Sequence, residues 1–293
     1  MNAKRMRPGE EGEVEREWKL RCKLAVAYRI AASYGWDLII FNHITAKIPD
    51  SEAHEDGPHF LINPIGLRFD EVTAASLLKV TAAGRVIDSG STDGSLFLAG
   101  YVIHSAIHMA REDVHCIWHC HDPDVAAVCI TKHGLLPLQQ EALFVYNDIA
   151  YHPFEGPAFD LGERERLARN LGKTKSILLM ENHGPCVCAG SVEEAFEKMF
   201  YLTRACMYQQ RALAMVGGDL SKLHVPSQAQ LQEWSRRALD SDNLVISLDD
   251  GGKGGAAVGG VVPDASMLFR AAARKIEERD GAANIYARAA PRL

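Results

Sequence analysis

The chain has 293 residues, 47% of them hydrophobic, and its 32 Lys and Arg against 38 Asp and Glu leave a net charge of −6. That acidic balance argues against nucleic acid as a general partner. No apolar run approaches the ~18 residues of a membrane span, and the basic start Met1-Asn2-Ala3-Lys4-Arg5 lacks the apolar core of a signal peptide. A disordered leader over residues 1–10 and a cytoplasmic protein with no membrane partner are therefore expected. The seven cysteines (22, 116, 120, 129, 186, 188 and 206) sit mostly in apolar runs and form no C-x-x-C pair. Reduced thiols fit that pattern better than a disulfide framework.

Glu10 to Ser33 reads as a long helix, acidic at first, then apolar at Leu20, Leu24, Ala25, Tyr28 and Ala32, and stopped by Gly35. Leu38 to Phe41 and Ile44 to Ile48 read as strand material on either side of Asn42-His43. His59 to Ile62 is a short strand ending in the turn Asn63-Pro64-Ile65-Gly66. Asp70 to Ser76 reads as a short helix, and Leu77–Thr81 with Arg85–Asp88 as a hairpin around Ala83-Gly84. Leu96 to Arg111 is the next helix, with His104 and His108 four residues apart on one face. That pair could hold a metal, but Val102, Ile103 and Ile107 around it favour a packed helix.

Val114 to Ile117 is a buried strand that runs into Trp118-His119-Cys120-His121-Asp122. Alternation along a strand turns His119 and His121 to one side and Cys120 to the other, where it packs. Two imidazoles at a strand end make half of a metal site, although His-x-His also arises by chance among twelve histidines. Pro123 to Lys132 is a helix, Val145 to His152 strand-like, and Gly162 to Asn170 an amphipathic helix. Ser176 to Met180 is a buried strand closed by Glu181-Asn182-His183-Gly184-Pro185, and Cys186 to Ala189 continues it after the turn. Ser191-x-x-Glu194 is a capping box opening a helix to about Met215.

Beyond Val216 the composition changes. Gln228 to Leu239 and Ala265 to Glu278 keep helical patterns, and Asp249 to Gly260 is Gly-rich and structureless by composition. Residues 11–216 are thus read as one domain, and 217–293 as an arm with short helices and a Gly-rich linker.

His183 supplies the third imidazole. If its strand lies beside that of His119 and His121, three protein ligands with open positions make a catalytic kind of metal site. Such a metal polarises an oxygen and stabilises the enolate left when a neighbouring C–C bond breaks. Three separate polar strand ends are the alternative.

From about Leu20 to Val216 the chain resembles the class II aldolase/adducin family. The markers are Phe41-Asn42-His43-Ile44-Thr45, Phe60-Leu61-Ile62-Asn63-Pro64-Ile65-Gly66, the helix leading into His119-x-His121, and Leu179-x-x-x-His183-Gly184. The resemblance implies an α/β fold of three α/β/α layers around a central, mainly antiparallel sheet. It also implies a homo-oligomer, often a tetramer with active sites between subunits. His119, His121 and His183 match the family's ligands for a divalent metal ion, zinc first, with manganese, iron or cobalt also suited to three imidazoles.

Departures from the family's sugar-phosphate aldolases matter as much. Their Ser-Ser-Glu is Leu98-Ala99-Gly100 here, so the catalytic glutamate and two phosphate-holding serines are missing. Asn42 and the turn at Gly66 are a thin remainder for a phosphate dianion. Gly100–His108 with Leu136–Glu141 looks like the adducin-type branch, whose head domains are non-catalytic and lack the metal histidines that this chain keeps. Glu141 falls where some family aldolases place a proton-donating tyrosine, which makes it the candidate acid/base. Asn42, His43, Gly66, His104 and Gln140 are candidates to bind substrate or to support the ligands.

The reading with most support is a metal-dependent lyase. It would carry out retro-aldol cleavage or decarboxylation of a small non-phosphorylated hydroxy- or keto-carboxylate. An Fe(II)-dependent oxygenase on the same triad and a non-catalytic adducin-like cytoskeletal binding protein are the alternatives.

Overall fold

A computed structural model of the chain describes residues 10–49, 51, 54–156, 162–239, 245–247, 257–259 and 263–288. Helix α1 (Glu10–Tyr34) leads into strands β1 (His43–Lys47), β2 (His59–Ile62), β3 (Leu78–Thr81) and β4 (Val86–Asp88). After α2 (Leu98–Ala110) come β5 (Cys116–His119), α3 (Pro123–Ile130), α4 (Gln140–Leu143) and β6 (Ile149–His152). Helix α5 (Glu163–Leu171) precedes the hairpin of β7 (Ile177–Met180) and β8 (Gly184–Ala189), and the long α6 (Val192–Met215) follows. Helix α7 (Gln228–Leu239), the small pair β9 (Val245–Ser247) and β10 (Ala257–Gly259), α8 (Ala265–Asp280) and α9 (Ala282–Ile285) complete the order.

Strands β1 to β8 form one sheet in the order β4-β3-β2-β1-β5-β8-β7-β6. Every pairing in it is antiparallel except β6 with β7. Side-chain alternation explains the layers. On β5, β7 and β8, residues Cys116, Trp118, Ile177, Leu179, Val187 and Ala189 enter one core with α1, α3, α6 and α8. Their neighbours Ile117, Leu178, Met180, Cys186 and Cys188 enter a second core with α2 and α5. The central strands are covered on both faces, so they read as continuous apolar runs rather than as alternation.

Four readings of the sequence change. Leu38–Phe41 is turn, not strand: Ile39 takes φ 51°, and Leu38, Ile39 and Phe41 are exposed. Asp70–Ser76 makes only a short 3-10 turn, Phe69–Glu71. Past it, Thr73 and Ser76 bond each other's backbone N–H through their hydroxyls, offering the chain an alternative to helix. Tyr146–Asp148 is likewise a 3-10 turn, so the strand begins at Ile149. Within the Gly-rich stretch 249–260, residues 257–259 pair with 245–247, and the remainder lies outside the described residues, as does the leader 1–9.

Part of the segment expected as an arm is packed onto the body. Phe269, Ala273, Ile276 and Ile285 are buried in the core that holds α1 and α6. Arg29 of α1 donates through Nη1 to Asp280 Oδ2 at 2.9 Å, and the Ala74 N–H donates to the Ile285 carbonyl. No helix among the described residues is long and apolar enough to cross a membrane. All seven cysteines are free thiols.

Candidate metal centre

Strand β5 lies between β1 and β8, which fixes His119 opposite His43 on one side and Cys186 on the other. His121 sits two residues past the strand end. The β7–β8 turn delivers His183, with Asn182 at φ 53° and its N–H bonded to the Cys129 carbonyl. Gly184 permits the approach: a Cβ there would lie 2.9 Å from the Cys120 carbonyl oxygen and 3.3 Å from His121 Cδ2. The ring centroids of His119, His121 and His183 are 5.0, 4.9 and 4.9 Å apart. One ring nitrogen from each lies within 4.8 Å of the others.

One hydrogen bond orients the first of these rings. His119 Nδ1 donates to the Pro185 carbonyl at 2.9 Å, which leaves the Nε2 lone pair free. His121 Nε2 is buried and makes no hydrogen bond. Burial, followed by the neighbouring rings, holds His119 well below the ordinary imidazole range; burial also lowers His121 and brings His183 to about 4. Neutral imidazoles with bare, inward nitrogens are the form that binds a metal, and three of them suit a divalent ion with open positions.

The wall beside the triad comes from the same face of the sheet. His43 and Thr45 alternate with Ile44 and therefore face α2. Thr45 Oγ1 is 2.8 Å from both His104 Nδ1 and His108 Nε2, and His108 Nδ1 is 3.1 Å from the Val114 carbonyl. The protons follow in sequence. A carbonyl only accepts, so His108 carries its proton on Nδ1, and burial holds that ring neutral at about 3. Thr45 must then donate to His108 Nε2 and accept from His104 Nδ1–H. His104 Nε2 is left as a bare, buried lone pair with no hydrogen-bond partner. His43 resembles it: Nδ1 donates to Asn63 Oδ1 at 3.3 Å, Nε2 has no hydrogen bond, and burial brings the ring to about 4.

Asn42 is fully buried, accepts the His121 N–H on Oδ1 at 3.3 Å, and keeps Nδ2 free of any hydrogen bond. Asn42, His43 and His104 thus surround the triad. Gly66 turns the chain at φ 100° and has no described bond to the histidines. Gln140 lies on α4 and lines a cleft of about 680 Å³ with Leu138, Leu143, Val225 and Trp234, none of them triad residues. Glu141 stands on the same helix, and its N–H caps onto Gln139 Oε1. Among the described residues, no hydrogen bond or ion pair joins Glu141 to the triad. His108 also stays out of the metal set. The sequence reading missed Thr45 and Asn63. The period-two alternation from His43 places Thr45 on the histidine face, whereas nothing local marks Asn63 as the partner of His43.

A three-imidazole cluster at the end of a mixed sheet, with helices on both sides, is the arrangement of an α/β protein able to hold a catalytic metal ion. The chain belongs to the class II aldolase/adducin family: the Class II Aldolase and Adducin N-terminal domain matches residues 22–210. A Caulobacter vibrioides protein named as a candidate class 2 aldolase is 46% identical over 216 residues, 74% of this chain and 80% of the relative. Alpha-adducin of Mus musculus is 45% identical over 199 residues, which are 68% of this chain but 26% of alpha-adducin. Among solved structures, an aldolase II superfamily protein from Pseudomonas syringae superposes with a TM-score of 0.77 at 36% identity, covering 95% of this chain and 98% of that one. L-fuculose 1-phosphate aldolase from Glaciozyma antarctica PI12 gives 0.70 at 25% identity, covering 94% and 95%.

Proposed function

We propose that the protein is a metal-dependent carbon–carbon lyase acting on a small, non-phosphorylated hydroxy- or keto-carboxylate, by retro-aldol cleavage or decarboxylation. The observation that carries this reading is the triad: three neutral imidazoles, with His119 Nε2 and His121 Nε2 free of protein hydrogen bonds. A divalent ion held by His119, His121 and His183, zinc first, would act as a Lewis acid that favours negative charge on a substrate oxygen. Asn42 Nδ2, a buried donor beside His121, suits one carboxylate oxygen. A phosphate dianion needs several donors, and Leu98 and Ala99 provide no side-chain donor.

The position that carries the acid in sugar-phosphate aldolases is Gly100, and the His43 ring occupies the space a side chain there would need. Glu141 is the proposed proton donor. Its helix packs beside Tyr201 of α6, and among the described residues no hydrogen bond or ion pair joins Glu141 to the triad, so we place the role between protomers of a homo-oligomer such as a tetramer. Metal analysis of protein purified without added metal tests the centre: one divalent ion per chain is expected at the three histidines, and His119→Ala should lose that ion together with turnover. Full metal content in that variant would sink the assignment. Glu141→Gln should keep the metal and lose turnover.

A binding role without catalysis has one specific observation behind it, the 45% identity to alpha-adducin. It predicts protein free of tightly bound metal that still captures a partner. Oxygen uptake dependent on added Fe(II) would instead move the chemistry to oxygenation on the same residues.

A further inference from the structure

Strand β6 ends in His152, whose side chain is 2% exposed. Its Nε2 is buried without a hydrogen bond, and it faces two carboxylates: Glu155 Oε1 and Glu163 Oε1, each at 3.8 Å. Glu163 opens α5 and is itself buried. A separation of 3.8 Å is too long for a hydrogen bond. It is close to the spacing of atoms that share one ion, since bonds of about 2.1 Å in a tetrahedral shell put ligands roughly 3.4 Å apart. We propose that His152 Nε2, Glu155 and Glu163 form a second divalent-cation site, separate from the three-histidine centre and independent of the lyase reading.

The chemistry of the donors supports a transition-metal ion. One imidazole and two carboxylates suit zinc or manganese better than an all-oxygen calcium shell. Burial holds the His152 ring below its ordinary range, so near neutral pH it offers a lone pair rather than a positive charge. Arg166 grips both oxygens of Glu155 and fixes that carboxylate beside the ring.

The other ring nitrogen controls which form exists. His152 Nδ1 is 2.8 Å from Asn170 Nδ2. In that orientation the amide donates to Nδ1, and the ring proton sits on Nε2. A half-turn of the amide presents Oδ1 to an Nδ1–H and bares Nε2 for the ion. Binding therefore couples to the Asn170 amide and ties the end of β6 to the first turn of α5.

Cobalt(II) titration of metal-stripped protein, read by visible absorption and elemental analysis, tests the site. Wild type should bind two ions per chain, Glu163→Gln one, His119→Ala one, and the double variant none. Zinc should raise the melting temperature of His119→Ala but leave that of the double variant unchanged. Circular dichroism of the stripped proteins checks folding, and Glu155→Gln, altering a more exposed residue, serves if Glu163→Gln does not fold. A single ion removed by Glu163→Gln and kept by His119→Ala would support this site and sink the triad. Two ions in Glu163→Gln and Glu155→Gln, or a single wild-type ion that survives both, overturns the proposal.

Discussion

A Cβ added to Gly100 would lie 2.2 Å from His43 Nε2, so the ring of β1 and any side chain at this point of α2 exclude each other. The ring cannot easily retreat. It is 1% exposed, bonded to Asn63 and backed by Phe97 at 5.5 Å. Gly100→Ala should therefore cost about 1–3 kcal/mol by overpacking. In a His43→Ala background the same change should cost less by at least about 0.5 kcal/mol, the mark of a direct contact in a double-mutant cycle. Urea unfolding of the four proteins measures it, and additive costs would refute the exclusion. The same geometry predicts that Gly100→Glu folds poorly unless His43 is trimmed first.

Gly184 does for the triad what Gly100 does for its wall. A methyl group there would press on the Cys120 carbonyl and on His121 Cδ2. Gly184→Ala should displace His121 from His183 and weaken metal affinity on the order of ten-fold, the lower end of effects seen when a ligand's support is altered. Competition with a chromophoric chelator gives the number. Unchanged affinity would show that the turn can shift without moving His121.

Thr45→Val removes the hydroxyl that fixes two imidazoles at once. His104 Nδ1–H and the His108 Nε2 lone pair lose their partner inside the core. Leaving such groups buried costs about 1–3 kcal/mol each. Nitrogen-15 spectra should show His104 with its proton on Nδ1 in wild type and a mixture of tautomers in the variant. A wild-type His104 protonated on Nε2 would break the deduced order of donors.

Stability should fall on acidification, and the sign follows from the depressed histidines. His108 ionises near 3 in the folded chain because burial penalises its charge, against ~6.5 unfolded. Between those values the unfolded chain binds a proton that the folded chain refuses, so stability rises with pH there. Its contribution is complete above about pH 6.5 and is lost as pH falls toward 3. Each such residue adds a slope of about 1.4 kcal/mol per pH unit in that window. Urea midpoints between pH 7.5 and 4.5 test this, and His108→Phe should flatten the slope by one residue's share.

How much was legible depended on whether the signal was local. The strands around His119 and His183 stood out because runs covered on both faces read as unbroken apolar stretches, and family markers joined them. Leu38–Phe41 has the same composition but lies exposed in a turn, since one apolar tetrad carries no register. Asp70–Ser76 failed as a helix because Thr73 and Ser76 prefer each other's backbone. Thr45 and Asn63 gain meaning only from the pairing of β1 with β2 and the approach of α2. Glu141 shows the reverse. Its sequence position suggests a role, yet among the described residues no hydrogen bond or ion pair ties it to the triad.

The packing of α8 was the least legible feature: the sequence reads as a helix there, but as a solvated amphipathic one, and its partners lie more than fifty residues away. Phe269 meets Phe196 edge-on at 5.9 Å in the same core as α1. Arg29 bridges the Val72 carbonyl and Asp280, whose carboxyl is held at about 2 by Arg279 first and then by Arg29. Phe269→Ala should cost about 3–5 kcal/mol, the usual range for emptying a buried aromatic site. A chain ending at residue 262 should melt well below wild type, since it uncovers α1 and α6 together. If the shortened chain melts with wild type, α8 is an appendage and the core closes without it.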